Sequence, residues 1–168
     1  MLIFRKASID DLETLVKARK IFLRTLRSFD ENTEDWKVRE ENIREYHSKA
    51  LADDSVIAYL VYDGDRLAAF GEACLYDVIP GFVNYNGKRA YIMNIYTDPD
   101  YRNRGIGMYV LHLLVTGCRE RGVNQIQLNA SKLGQPLYEN YGFTSMTPEN
   151  MILSPDGGLK EVPLPEIS

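Results

Sequence analysis

Two arginines and two glycines lie together in the segment 102–107, Arg-Asn-Arg-Gly-Ile-Gly. The segment falls between a predicted strand and a predicted helix, where backbone N–H groups at the helix start lack partners and attract anions. Gly105 and Gly107 let the main chain approach a ligand without a Cβ in the way. Arg102 and Arg104 add charge-assisted hydrogen bonds of the kind that a pyrophosphate accepts. The segment therefore predicts a diphosphate site, with a tight turn that carries a solvated basic face as the alternative.

The residues in and after this segment narrow the choice of diphosphate. A Walker loop needs Gly-Lys-Ser or Gly-Lys-Thr, which this segment lacks. A dinucleotide fingerprint needs a third glycine at the position of Val110. ATP and NAD are therefore disfavoured as ligands.

One carboxylate interrupts an apolar strand. Glu72 lies in the run 68–75, which is otherwise apolar, so its side chain either lines a pocket or faces water on one side of a half-buried sheet. As a pocket carboxylate, it is the leading candidate for a general base. Asn94 and Tyr96 share one face of the next predicted strand and are candidates to orient a substrate or a water, although Tyr96 suits the core equally well.

The cysteines and histidines show none of the patterns that activate these residues. Cys74 and Cys118 lack a neighbouring base or cation, and their spacing fits neither a disulfide framework nor a zinc site. We expect both thiols to be reduced and buried. His47 and His112 are expected to be structural, and the sequence predicts no metal site.

Apolar periodicity places these residues in an α/β domain. The predicted elements are a strand at 2–4, a helix after a capping box at 8–11, a helix over 33–51, a hairpin of strands 55–62 and 67–76, a strand at 89–97, a helix from Gly105 to Gly122, a strand over 123–130, a short helix carrying Tyr138, and short strands near 144–146 and 151–153. The pair Asp63-Gly64 suits the tight turn of the hairpin. The loop 79–88 is long enough to shape a pocket.

Length and composition fit one domain over residues 1–168, because 168 residues with 45% hydrophobic side chains can bury a full core. Prolines mark a loose tail over about 155–168. No apolar run reaches the roughly 20 residues of a membrane-spanning helix, and the start of the chain does not resemble a secretory signal. We therefore expect a cytoplasmic protein without membrane partners. The net charge of −4 argues against nonspecific nucleic-acid binding and weakly favours cationic amines.

The segment 102–107, placed after a strand, resembles the signature with which GNAT acetyltransferases hold the pyrophosphate of coenzyme A. The flanking segments strengthen the resemblance. The run 91–101 resembles the central strand of that family and its lead into the signature, while 128–131 and 137–143 resemble its next strand and helix. The match covers about 89–143, roughly a third of the chain. The order of the predicted elements before it agrees with the family as well.

The resemblance implies an α/β, GNAT-like fold, with a mixed central β-sheet flanked by helices on both faces. It implies acetyl-coenzyme A as cosubstrate and no metal. The strand backbone would hold the pantetheine arm and the acetyl carbonyl, and Asn129 would reach that arm unless it is simply an exposed strand residue. The implied cofactor-binding residues are Ile95, Tyr96, Thr97, Arg102, Asn103, Arg104, Gly105, Ile106, Gly107, Asn129 and Tyr138.

Acetyl transfer from a thioester to an amine needs a neutral amine, a polarised carbonyl and a proton for the departing thiolate. Tyr138 matches the tyrosine that protonates the coenzyme A sulfur in many family members; the alternative role is aromatic packing. The resemblance implies that a backbone N–H near Ile95 polarises the carbonyl, at a point where the family often has a bulge. It does not identify the base, for which Glu72 is the leading candidate, with Asn94 as an orienting residue.

The expected activity is direct transfer of the acetyl group to a primary amine of a small molecule in a ternary complex. Two alternatives stay open: acetylation of a protein or peptide at its N-terminus or lysines, and a noncatalytic acyl-coenzyme A-binding module. The segments 33–51 and 79–88 are expected to shape the acceptor pocket. Sheet edges make a homodimer possible.

Overall fold

The computed structural model describes residues 1–145. Their strands and α-helices are β1 (Leu2–Lys6), α1 (Leu12–Leu26), α2 (Glu34–Ala52), β2 (Val56–Asp63), β3 (Arg66–Asp77), β4 (Lys88–Thr97), α3 (Ile106–Glu120), β5 (Gln125–Leu128) and α4 (Gln135–Tyr141). The predicted strand near 151–153 and the predicted tail over 155–168 lie outside the described residues, as does the end of the strand predicted at 144–146. None of the helices in residues 1–145 combines the length and apolarity needed to cross a bilayer.

The five strands form one sheet in chain order. Strands β1 to β4 are antiparallel to their neighbours, and β5 is parallel to β4. A parallel pair requires a crossover between its strands, which α3 supplies. The mixed sheet predicted from the sequence is therefore confirmed.

Helices cover both faces of the sheet, as predicted. Successive strand residues point to opposite sides, so the apolar strands have side chains to bury on both faces. On one face, α3 packs through Val110, Leu111 and Leu114 against Ile57, Val61 and Ala69. On the other face, α1 packs through Leu15 and Ala18 against Ala58, Leu60 and Phe70. The second helix of that face, α2, lies beside α1.

A β-bulge interrupts the pairing of β3 with β4. Phe70 pairs with Tyr96 and Glu72 pairs with Met93. One residue of β3, Gly71, therefore lies opposite two residues of β4, Asn94 and Ile95. Asn94 adopts a left-handed conformation with φ of 58°. A bulge of this kind re-aims side chains and frees backbone groups.

Gly71 packs directly against α3. A Cβ at this position would lie 2.7 Å from Val110 Cγ1 and 3.1 Å from Leu114 Cδ1. We expect Gly71→Ala to lower the free energy of unfolding by about 1–3 kcal/mol in urea titrations, since overpacking forces the helix away from the sheet. Gly81 is the matched control because an added Cβ meets no atom within 4 Å there. Equal effects of Gly71→Ala and Gly81→Ala would contradict this account.

Candidate active site

The sheet opens along the second half of β4. β5 pairs with β4 only from Arg89 to Ile92, whereas β4 continues to Thr97. Within residues 1–145, no strand pairs with this edge of β4 over 93–97. An open strand edge presents N–H and C=O groups to which an extended ligand hydrogen bonds as a further strand would. The edge of β4 over 93–97 is therefore able to form backbone hydrogen bonds with an extended ligand.

The bulge expected near Ile95 lies on this open stretch of β4. Ile95 points to the α3 side of the sheet, where it packs against the core. Asn94 points to the other side, where its Oδ1 accepts a hydrogen bond from Arg19 of α1. Tyr96 also lies on that side and stacks on Phe70, with ring centroids 5.0 Å apart. The shared face predicted for Asn94 and Tyr96 is present.

The segment 102–105 forms an exposed turn before α3. Asn103 and Gly105 are both left-handed, with φ of 60° and 76°. Successive N–H groups in turns are able to form concave sites that bind anions. Arg102 Nε donates to the carbonyl of Thr97 at 3.1 Å, and the Arg104 guanidinium carbon lies 5.4 Å from the ring centroid of Tyr101.

The open edge and this turn are contiguous. A Cβ built on Gly107 would lie 3.4 Å from Thr97 Oγ1 and 3.9 Å from Leu137 Cδ1. The end of β4, the first turn of α3 and α4 therefore meet around Gly107. A ligand with a diphosphate at the turn can continue directly along β4.

Tyr138 lies on α4 beside this junction. Its ring is half-buried against the α3 side of the core, and its centroid lies 6.1 Å from that of Phe143. Burial raises the pKa of Tyr138 above its usual value, so the phenol keeps its proton at neutral pH. A protonated phenol at this position is able to act as an acid.

The strand predicted over 123–130 is shorter than expected. β5 ends at Leu128, and Asn129 is exposed just beyond it. The prediction that the strand includes Asn129 is therefore wrong. The strand stops because its pairing with β4 stops at Leu128, beyond which no ladder holds the chain extended.

A buried polar cluster lies on the opposite face, beneath α1 and α2. It contains Arg19, His47, Glu72 and Asn94. Glu72 is 1% exposed, His47 3% and Asn94 2%, while Arg19 is half-buried. The alternative that Glu72 faces water on one side of a half-buried sheet is wrong, because α2 covers this part of β3 and Glu72 Oε2 lies 2.9 Å from His47 Nε2.

Sequence reasoning missed His47 and Arg19 as site residues. The available signal was weak: His47 shares the apolar face of α2 with Ile43 and Ala50, which is also where a structural histidine lies.

His47 and Glu72 share one proton. His47 Nδ1 lies 2.9 Å from the carbonyl oxygen of Ile43, which only accepts, so Nδ1 carries a proton. Burial on its own lowers the pKa of His47, but the hydrogen bond and charge of Glu72 raise it above the usual value. The contact with Glu72 therefore favours the charged form of His47. Glu72 Oε1 is buried and has no hydrogen-bond partner among the described residues.

The raised pKa of His47 makes stability depend on pH. Its contribution to the free energy of unfolding is complete below about pH 6.5, the unfolded value, and is lost as pH rises through the higher folded pKa. We expect urea midpoints of the wild type to fall over this range more steeply than those of His47→Gln, whose amide does not titrate. Parallel profiles for the two proteins would rule out the charged pair.

The two cysteines are free thiols. Cys118 is buried, and burial raises its pKa to about 11. Cys74 is half-buried, contrary to expectation, with its Sγ 2.9 Å from the Tyr46 hydroxyl. Burial raises its pKa too, so neither side chain supplies a thiolate at neutral pH. The described part of the chain holds no group of three metal-ligating residues.

A mixed sheet that opens beside an exposed turn, with a phenol at the junction, is the arrangement that the resemblance to GNAT acetyltransferases implies. The chain belongs to the acetyltransferase (GNAT) family, whose model matches residues 16–143. It is an acetyl-coenzyme A-dependent acetyltransferase. No protein with a curated description matches it in sequence.

Solved structures agree with this assignment. A predicted acetyltransferase of Clostridium acetobutylicum, solved with acetyl-coenzyme A, is 30% identical, with a TM-score of 0.80 over 91% of this chain and 97% of that one. A GCN5-related N-acetyltransferase of Ralstonia eutropha is 27% identical, with a TM-score of 0.77 over 90% and 98%. Glucosamine-6-phosphate N-acetyltransferase of Arabidopsis thaliana, 21% identical with a TM-score of 0.63 over 90% and 97%, shares the fold.

Proposed function

We propose that this chain transfers the acetyl group of acetyl-coenzyme A directly to a primary amine of a small molecule, in a ternary complex. The observation that carries the proposal is the bulge at Asn94 and Ile95. One side of it has the open edge and the diphosphate turn, and the other side has the buried polar cluster. A donor and an acceptor that approach from opposite faces would meet there.

The cofactor would lie along β4 and the turn. The two left-handed residues, Asn103 and Gly105, shape the turn for the pyrophosphate. The exposed Arg102 and Arg104 add positive charge, and the N–H groups of Ile106 and Gly107 complete the helix start. Backbone groups of Ile95, Tyr96 and Thr97 would hold the pantetheine arm and the acetyl group, with Asn129 at its side.

Each step of acetyl transfer is assigned to one group of the protein. The ammonium group of the acceptor first gives one proton to Glu72 Oε1, directly or through water, and Asn94 orients the amine or that water. The neutral amine then attacks the thioester carbon, a C–N bond forms, and a backbone N–H near Ile95 stabilises the oxyanion. The nitrogen releases a second proton to water as the amide forms. The C–S bond then breaks, and Tyr138 gives its proton to the departing thiolate. Exchange with water restores both side chains.

The test is release of free coenzyme A thiol in the presence of polyamines, aminoglycosides, amino acids and short peptides. Release that depends on a small amine supports the proposal, whereas release with peptides alone would move the acceptor to proteins. Calorimetry measures cofactor binding separately, and we expect Arg102→Ala to weaken it by about 10-fold or more. Tight binding without release for any amine would favour the noncatalytic module. The cytoplasmic location and the homodimer stay predictions.

A further inference from the structure

Helix α1 directs one guanidinium to the bulge. Arg19 donates to Asn94 Oδ1, and its guanidinium carbon lies 5.8 Å from the ring centroid of Phe22. Its neighbours on α1, Lys20 and Arg24, form ion pairs with Glu31. Within residues 1–145, Arg19 forms no ion pair. It is therefore a cation held at the bulge by a neutral partner.

The carboxylate of the cluster is directed at His47 and not at Arg19. Glu72 Oε2 lies 2.9 Å from His47 Nε2, and within residues 1–145 Glu72 forms no ion pair with Arg19. The charge of Arg19 is left for a ligand, although the protein as a whole has a net charge of −4.

Two buried polar atoms at the bulge have no partner among the described residues. The amide of Asn94 is oriented by Arg19, because a guanidinium only donates and Oδ1 must face it. Asn94 Nδ2 is therefore a donor left unpaired, and Glu72 Oε1 is an acceptor left unpaired. Native proteins rarely leave such atoms without a ligand or a water. A guanidinium, an amide N–H and a carboxylate oxygen complement a molecule that carries both a carboxylate and an amine.

We propose that Arg19 determines specificity by binding a carboxylate of the acceptor, so that the substrate class is an amine that carries a carboxylate, such as an amino acid. This inference rests on the function proposed above. Arg19 is half-buried, whereas the other three members of the cluster are buried, so it is the group that an incoming acceptor meets first. Its single charge matches one carboxylate, to which a guanidinium binds through two parallel hydrogen bonds. A polyamine would place like charges beside it.

The test compares each amino acid with its own amide, which keeps the amine and lacks the carboxylate. For each protein we take the kcat/KM for the amino acid divided by the kcat/KM for its amide. We expect this ratio to be about 10-fold or more lower in Arg19→Gln than in the wild type, since a charged hydrogen bond is lost. Comparing ratios between proteins cancels the different basicity of the two amines. Arg19→Lys keeps the charge and loses the planar fork, and an intermediate ratio is expected from it.

Lys17→Gln is the matched control, because Lys17 is an exposed cation on the same helix, and its ratio should equal that of the wild type. Thermal melts verify that each variant is folded. An unchanged ratio in Arg19→Gln would overturn the inference. A second result would also overturn the inference. If the wild type prefers a phosphorylated amino sugar to its unphosphorylated parent and Arg19→Gln loses this preference, Arg19 binds a phosphate and not a carboxylate.

Calorimetric titration of amino acids into the coenzyme A complex separates this inference from the proposed function. Binding that depends on Arg19 without turnover would support the carboxylate site and reject acetyl transfer to these amines. Neither binding nor turnover with any amino acid would overturn both.

Discussion

Tyr138→Phe is expected to lower kcat by about 100-fold or more, because general acids contribute about 10²- to 10⁴-fold and the departing thiolate would lose its proton donor. Burial raises the pKa of Tyr138, so the phenol is protonated across the neutral range. The wild-type rate should therefore fall only above about pH 10, the ordinary value of the group. Thiol release at saturating concentrations of both substrates measures the effect, and that alkaline decrease should be absent in the variant.

Tyr141→Phe is the matched control for this measurement. Tyr141 lies on the same helix, but its hydroxyl is 3.1 Å from His112 Nδ1. We expect its loss to leave kcat within about 2-fold of the wild type, since the mechanism assigns no step to this hydroxyl. Calorimetry should show equal acetyl-coenzyme A affinity for both variants. A Tyr138→Phe enzyme with the wild-type rate would remove Tyr138 from the mechanism and leave it as a packing residue.

Glu72→Gln is expected to lower kcat/KM by about 100-fold or more at neutral pH, because the variant has no carboxylate to take the ammonium proton. The deficit should shrink as pH rises toward the pKa of the acceptor amine, since solvent then supplies the neutral nucleophile. A purely structural role would give a deficit that does not change with pH. Rates measured from neutral to alkaline pH with one acceptor distinguish the two.

Loss of a buried, paired carboxylate also destabilises the fold, so a control of the same kind is needed. Asp11 is 6% exposed and forms two hydrogen bonds with Arg5, of 2.7 and 2.6 Å, at the start of α1. Asp11→Asn should lower stability and keep the rate. If Glu72→Gln and Asp11→Asn lose similar activity at every pH, Glu72 is not the base.

Most of the secondary structure was predictable, because apolar periodicity and turn residues act locally. The hairpin of β2 and β3 around Asp63-Gly64 and the helical spacing in α1 and α3 needed no knowledge of the rest of the chain. The prediction for β5 was too long, since the end of a strand depends on its partner. Here that partner, β4, stops pairing at Ile92.

The sequence by itself indicated the family, which the family model confirms, and it predicted a diphosphate site, because Arg102, Gly105 and Gly107 act through backbone conformation and charge within one short segment. Only the tertiary structure decided what surrounds the bulge. Arg19 and Asn94 are 75 positions apart, and His47 and Glu72 are 25 apart. Contacts between such distant residues depend on how α1 and α2 pack across the sheet, which no local pattern in the sequence encodes.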